Sequence, residues 1–368
     1  MAEPLPDLPL LDLVDHHCHG ILLDDLDRSA FEGLMNEAAA PSPLGTTLFD
    51  SMLGLAVRRH CAPVLDLEPL APAEEYLARR TELGGAEASR RLMAATGIGT
   101  LLVDTGLGPA ALTPPGELAA MCGGTAHEVV RLERLAEQVL AAGSADVPGE
   151  IRERLVAARD AGAVGAKSIA AYRVGLDLLP LRPSDSDLVA ALDRSDPARL
   201  AHPVVSAWLA HSALEAGLPL QVHTGYGDAD LALAAADPLR MTPFLRETQE
   251  HGVPVLLLHT WPFHRNAAYL AQVFDHVFLD LGLTTHNTGA LATGVLRETL
   301  EIAPFGKLLF STDAYGLAEL YLLGAVLFRR SLGAVLGELV ADSDATAEDA
   351  AYVAGLVARE NARRAYRL

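Results

Sequence analysis

The sequence predicts an α/β fold, a (β/α)8 TIM barrel with a helical insertion after its first strand. Three observations carry this expectation. Eight short apolar runs each end in a polar residue, Ala/Leu/Arg-rich stretches of helical spacing separate most of them, and one connection is far too long for a simple crossover. A chain of 368 residues, 50% hydrophobic, can bury a core of that size. It is read as one domain over residues 1–368, with 20–97 inserted within it.

The candidate strands are, in order, "LLDLVDHHCHG", "TGIGTLLVDTGLG", "VVRLERL", "AGAVGAKSIAAYR", "LPLQVHTGYGD", "VPVLLLHTWPF", "HVFLDLGL" and "KLLFSTDAYG". Segments such as "HPVVSAWLAHSALEAG" and "RNAAYLAQVFD" supply the helices between them. Within 20–97, Ser29 and Glu32 have capping-box spacing, and "TTLFDSMLGLAVRRHCAPVLDL" reads as a helix ending near Pro63. That stretch is expected to cap the barrel mouth. Thr346 and Asp349 are spaced to cap a closing C-terminal helix.

Charge narrows the partners. With 48 Asp plus Glu against 28 Lys plus Arg, neither nucleic acid nor an anionic membrane would be drawn to the surface. Cys18, Cys61 and Cys122 are too few and too scattered for a disulfide framework, which favours a reducing cytoplasm. No leader is expected at the start, and no apolar run approaches the roughly 20 residues of a membrane helix. A small-molecule substrate is the expected partner, and a homo-oligomer is compatible with the chain. Aromatic content of 5% offers little platform for a sugar or nucleobase.

The chemistry sits at the strand ends, because in such a barrel all the βα loops open on one face. Strand one ends in His17 and His19, strand four in Lys167, strand five in His223, strand six in His259 and strand eight in Asp313. On an extended strand His17 and His19 share a face, while His16 and Cys18 point away. A lone strand-end histidine is more often a core residue than a ligand, and Asp313 alone could cap a helix. Convergence of all six argues for a metal site. Neutral imidazoles with a carboxylate suit zinc and leave a position for water, with manganese, iron, nickel and cobalt also compatible. Water activated there would attack, and Asp313 is placed to take its proton and return it to a leaving group. His259 would stabilise an oxyanion or bind a second ion. Glu133 near the end of strand three, Arg173 and Tyr226 are candidate substrate contacts, with a solvated helix start or surface packing as the alternatives. Asp280 would orient a histidine or bond within the core.

The stretches "AKSIAAYR" (166–173), "QVHTGYGD" (221–228), "DPLR" (237–240), "LLHTWPFHRNAAYLA" (257–271), "FLDLGL" (278–283), "STDAYGLAELY" (311–321) and the C-terminal "RENARR" take this further. Together with the six strand-end groups they resemble the amidohydrolase superfamily. The likeness is closer to one branch, the amidohydrolase-like domain that precedes a glutamine-synthetase-like domain in some fungal and plant fusion proteins. The resemblance implies that His17 and His19 bind a first metal, that His223 is a further ligand, and that Asp313 is both ligand and acid/base. It gives Lys167 two alternatives. Carbamylated, it would bridge two ions, with His223 and His259 on the second. Unmodified, it would join Arg173 in a cationic patch for a substrate carboxylate.

The implied function is a metal-dependent hydrolase of a C–N bond in a small amide, with one zinc ion or two. A γ-glutamyl amide is suggested by association with the fusion partner. Decarboxylation of an unsaturated or aromatic acid on the same scaffold is the alternative. A catalytically inactive binding protein is a third reading, which the intact set of six groups counts against.

Overall fold

The structure, a computed structural model, describes residues 11–38, 40, 44–107 and 112–368. Residues 1–10, on which the reading of the chain's start rests, lie outside the described residues, as does the end of the second candidate strand segment at Gly108. Among the described residues seven strands form: β1 (Leu13–Cys18), β2 (Ile98–Asp104), β3 (Thr125–Arg131), β4 (Gly165–Ser168), β5 (Leu220–Thr224), β6 (Val255–His259) and β7 (Val277–Leu279). They make one curled sheet in sequential order, every neighbouring pair parallel. Helices separate successive strands, as a parallel pairing requires.

Eight regular strands were expected. The eighth segment, "KLLFSTDAYG", instead runs irregularly along the seam between β7 and β1. Leu309 N donates to Leu279 O at 2.9 Å, while His16 N donates to Phe310 O at 3.2 Å and Asp313 N to His17 O at 2.9 Å. Its regularity is lost for local reasons. The Asp15 carboxylate takes Thr312 N and Oγ1 at 2.9 and 2.6 Å, and Asp313 has φ of +50°, outside any strand conformation.

Alternate strand residues face the inside of this sheet. Val14, Leu102, Val129, Leu256, Leu258, Phe278 and Leu309 form an apolar cluster closed by Ala362, Ala365 and Tyr366 of the C-terminal helix Asn361–Tyr366. A much larger core lies between the sheet and its outer helices. The capping box expected at Thr346 and Asp349 is present and starts the helix Ala347–Gly355.

The stretch between β1 and β2 contains the helices Arg28–Gly33, Met52–Ala56, Ala73–Leu83 and Gly85–Ala94. Residues 39 and 41–43 of it lie outside the described residues. The expected Ser29–Glu32 box does not form, because Asp27 lies two residues earlier and its carboxylate takes Ala30 N at 2.8 Å. Glu32 instead holds Arg28, Thr47 and Leu48 N. The helix expected to end near Pro63 begins after Ser51 and passes Pro63 through a π turn and a 3-10 turn, stopping at Asp66 with φ of +64°. Much of this stretch packs on outer helices rather than over the mouth. Arg80 Nε and Tyr76 OH both reach the buried Glu319 Oε1 at 2.9 Å. Glu319 belongs to Ala318–Ala341, a helix long and apolar enough to cross a membrane, contrary to the expectation. Most of it is buried inside the protein, as a core helix would be.

Candidate metal centre

β1 is not a plain strand: its register with β2 shifts between Asp15 and Cys18. An irregularity of this kind re-aims side chains. His17, His19 and Asp313 consequently offer ligand atoms that all lie within 4.8 Å of one another. His17 Nε2 is 3.0 Å and His19 Nε2 3.3 Å from the same oxygen, Asp313 Oδ1, and His259 Nδ1 is 3.3 Å from Oδ2. Lys167 Nζ lies 3.1 Å from His17 Nε2. His223 stands apart from the trio, its ring 4.5 Å from that of His259 and 4.6 Å from that of Tyr172. The structure therefore brings three of the four expected first-metal ligands together and pairs the fourth with His259.

Protonation favours a cation here. Burial pushes the His17 imidazole down to about 4 and holds His223 and His259 well below the ordinary histidine range. Burial alone would raise the Asp313 carboxyl. Protons on His259, His17 and His19 would outweigh it and hold the carboxyl well below its ordinary range, and a cation among the neutral rings would act in the same sense. The tautomer of His19 sharpens the point. Its Nδ1 lies 3.1 Å from Asp104 O and donates to that carbonyl. In the neutral ring Nε2 then carries a lone pair, and that lone pair faces a carboxylate oxygen. Two acceptors aimed at each other are repulsive unless a cation lies between them. His223 Nε2 and His259 Nε2 are also buried without a hydrogen-bond partner. The donor set thus fits a borderline divalent ion.

Backbone strain gathers at the same place. Among the described residues, His259 (φ +68°), Thr260 (+59°), Leu283 (+59°) and Asp313 (+50°) are left-handed non-glycine residues at or just beyond strand ends.

The centre opens into a cleft of about 1240 Å³. Arg131, Lys167, Arg173 and Arg199 line it, as do Glu37, Glu133, Tyr172 and His286. Burial lowers the Lys167 ammonium to about 8. Arg131 pairs with Asp104 at 2.6 Å, and Arg173 reaches Glu137 at 3.3 Å while its Nε has no partner.

Glu133 stands near the end of β3 as expected and lines the cleft, but it is not the solvated helix start of the alternative reading: it opens the helix Leu132–Ala141 and is buried, with Oε1 taking Ser168 Oγ at 2.8 Å and Ile169 N at 2.9 Å. Tyr226 does not line the cleft; it packs edge-on against Trp261, with ring centroids 5.8 Å apart. Tyr172 and Tyr315 line the cleft instead; the Tyr172 hydroxyl and His223 Nε2 crowd Gly227 so closely that a Cβ there would lie 2.1 Å from that hydroxyl.

His16 also departs from its reading. It was expected to point away from the face of His17 and His19, but it too faces inward, touching Asp280 and Tyr366. Cys18 points away as expected, its thiol buried and pushed up by that burial, 3.5 Å from Leu102 O. Sequence reasoning missed Tyr172, Glu37 and His286. Tyr172 stood inside a quoted motif, one position before Arg173, but Glu37 and His286 follow no strand directly and carry no local signal.

Comparison with known proteins decides the family. Residues 109–368 match the Amidohydrolase family. The chain belongs to that family. A protein of Emericella nidulans, Protein fluG, is 33% identical over 227 residues, which are 57% of this amidohydrolase chain and 26% of that protein. The chain thus spans about a quarter of the length of this relative. A solved structure from Lactobacillus casei, classed as a metal-dependent hydrolase, is similar over 100% of this chain and 98% of its own, with a TM-score of 0.85 and 28% identity. Uronate isomerase of Thermotoga maritima shares the fold, with a TM-score of 0.66 at 12% identity over 98% of this chain and 96% of that one.

Proposed function

We propose that this amidohydrolase hydrolyses a C–N bond in a small, carboxylate-bearing amide, using a divalent metal, zinc being the best fit, held by His17, His19 and Asp313. The observation that carries the proposal is the convergence of two imidazoles on one oxygen of a largely buried carboxylate. Membership of the family and similarity to a metal-dependent hydrolase support it. The ion would supply Lewis acidity and lower the pKa of water in the cleft.

The chain's own residues do the rest. Asp313 Oδ2, beside His259, is the group to accept a proton from water and deliver it to the departing nitrogen. His259, neutral and buried, is placed to donate to oxygen charge developing on the substrate. Arg173, with a free Nε, and Lys167 form the cationic wall suited to a substrate carboxylate. A γ-glutamyl amide satisfies that description and agrees with the branch the sequence resembles.

Metal content per chain, measured by plasma mass spectrometry on untagged protein with and without bicarbonate, tests the site. About one ion, indifferent to bicarbonate, leaves Lys167 as a substrate contact. Two ions with a bicarbonate dependence make it a carbamate ligand shared with His223 and His259. Absence of bound metal at neutral pH, or carbon dioxide rather than an amine as product from a panel of amides and acids, overturns the proposal.

A further inference from the structure

Below the metal centre lies a second buried polar group that the proposed chemistry does not use. Gln221 Nε2 donates to Tyr366 OH at 2.7 Å, so the tyrosine's own proton is free to donate to His16 Nδ1 at 2.9 Å. The remaining nitrogen, His16 Nε2, then carries its proton and lies 2.9 Å from Asp280 Oδ2. The other oxygen, Asp280 Oδ1, takes the backbone amides of His259 at 2.9 Å and Gly282 at 2.7 Å. Tyr366, His16, Asp280 and Gln221 are all 0–4% exposed.

We infer that Tyr366, His16 and Asp280 are positioning residues: a buried chain of contacts from the C-terminal helix that sets the backbone, and with it the ring, of His259. The inference rests on the reading of His259 as part of the site. The backbone at His259 needs holding. It and Thr260 are consecutive non-glycine residues in left-handed conformation, each a cost that the surroundings must offset. Asp280 anchors this turn twice, through its carboxylate on His259 N and through its carbonyl, which accepts from Thr260 Oγ1 at 3.0 Å. Thr284 Oγ1 adds a bond to His259 O at 3.1 Å. Among these anchors the carboxylate is the one whose other oxygen lies against a histidine, 2.9 Å from His16 Nε2, and that histidine is fixed in turn by the last helix. A buried carboxylate that loses such a partner cannot stay both ionised and in place. Displacement at Tyr366 or His16 therefore reaches His259 through Asp280.

The test reads His259 itself and needs no substrate. In metal-free protein carrying 15N-labelled histidine, the ring resonances of His259 are identified by their absence in His259→Gln. They are then compared in Tyr366→Phe and Asp280→Asn, alongside thermal unfolding. The expected result is a shift of the His259 ring signals in both variants, larger in Asp280→Asn, with the exposed His251 unmoved. Signals of His259 that coincide with the parent's while the melting temperature falls would show the chain to be structural only, and would overturn the inference. Should Asp280→Asn fail to fold, Tyr366→Phe decides alone, since it removes one oxygen atom and keeps the ring in the apolar cluster. Failure of the hydrolase proposal would leave this readout intact, so the two are separable.

Discussion

The floor and the rim of the sheet's interior are built from the same strands, two residues apart, and they do opposite things. Val14, Leu102, Val129 and Leu309 close the floor against the C-terminal helix. Two residues further along β1, β2 and β3 stand His16, Asp104 and Arg131, all buried and all ionic or polar, and Asp313, largely buried, lies four beyond Leu309 in the irregular segment. Strand periodicity of two sends both sets inward, and only position along the strand separates them. The floor buries apolar area and contributes stability. The rim buries charge, which costs stability and is useful only for chemistry. Changes at the rim should therefore abolish function and spare the fold, and changes at the floor should do the reverse.

The largest effect tests the rim. His17→Ala combined with His19→Ala should lose the bound metal altogether. Asp313→Asn should keep much of the metal and lose activity roughly 100- to 10,000-fold, the range for removing a general acid/base. Metal analysis and turnover on the same samples check both, and full activity in Asp313→Asn would remove the proton-carrying role. The floor answers next. Leu102→Ala, at a position with 0% exposure, should cost about 2–5 kcal/mol in denaturant unfolding while leaving metal content per folded chain unchanged.

Much of this division was legible in the sequence, and the reasons for the rest are physical. Apolar runs ending in polar residues marked the strand ends, so His17, His19, Lys167, His223, His259 and Asp313 could be named from order alone. Alternation counted from His17 and His19 sent His16 to the other face, because a period of two assumes an unbroken strand and the register shift between Asp15 and Cys18 leaves no mark in composition. The eighth strand read as regular for a similar reason: nothing in "LLFSTDA" shows that Asp15 claims the Thr312 amide from the other end of the chain. Tyr226 was preferred to Tyr172 because it follows His223 closely. The loop after β5 turns it toward Trp261, with Tyr226 N donating to Trp261 O at 2.6 Å. Glu37 lies in a stretch whose path depends on tertiary packing, and its carboxyl, raised to about 7 by burial and by the charges of Asp313 and Asp228, became visible only with the fold.

Titration separates the two regions more gently. Burial depresses His286, at the rim, from 6.5 to about 4. Its unfolded ring binds a proton below about 6.5, whereas the folded ring refuses one until about 4, so the unfolded state gains as pH falls through that window. Stability of the metal-free protein should accordingly fall with falling pH between those limits, this group contributing about 3 kcal/mol, and level off below. His286→Gln should flatten that slope in unfolding curves recorded across the window. An unchanged slope would show that the ring is solvated in the folded state.

The smallest effect asks whether the rim extends to the substrate. The Tyr172 ring packs tilted against that of His223, and its hydroxyl is 3.4 Å from Asp228 N, too long to hold the loop firmly. Tyr172→Phe keeps the ring contact and removes only the hydroxyl, so metal content and melting temperature should not change. If the hydroxyl bonds substrate, KM should rise by up to about tenfold, the equivalent of one neutral hydrogen bond, with kcat nearly constant. A fall in kcat at constant KM would place the hydroxyl in the transition state instead. A fall in melting temperature alone would move Tyr172 to the side of the floor, as a packing residue beneath the metal centre.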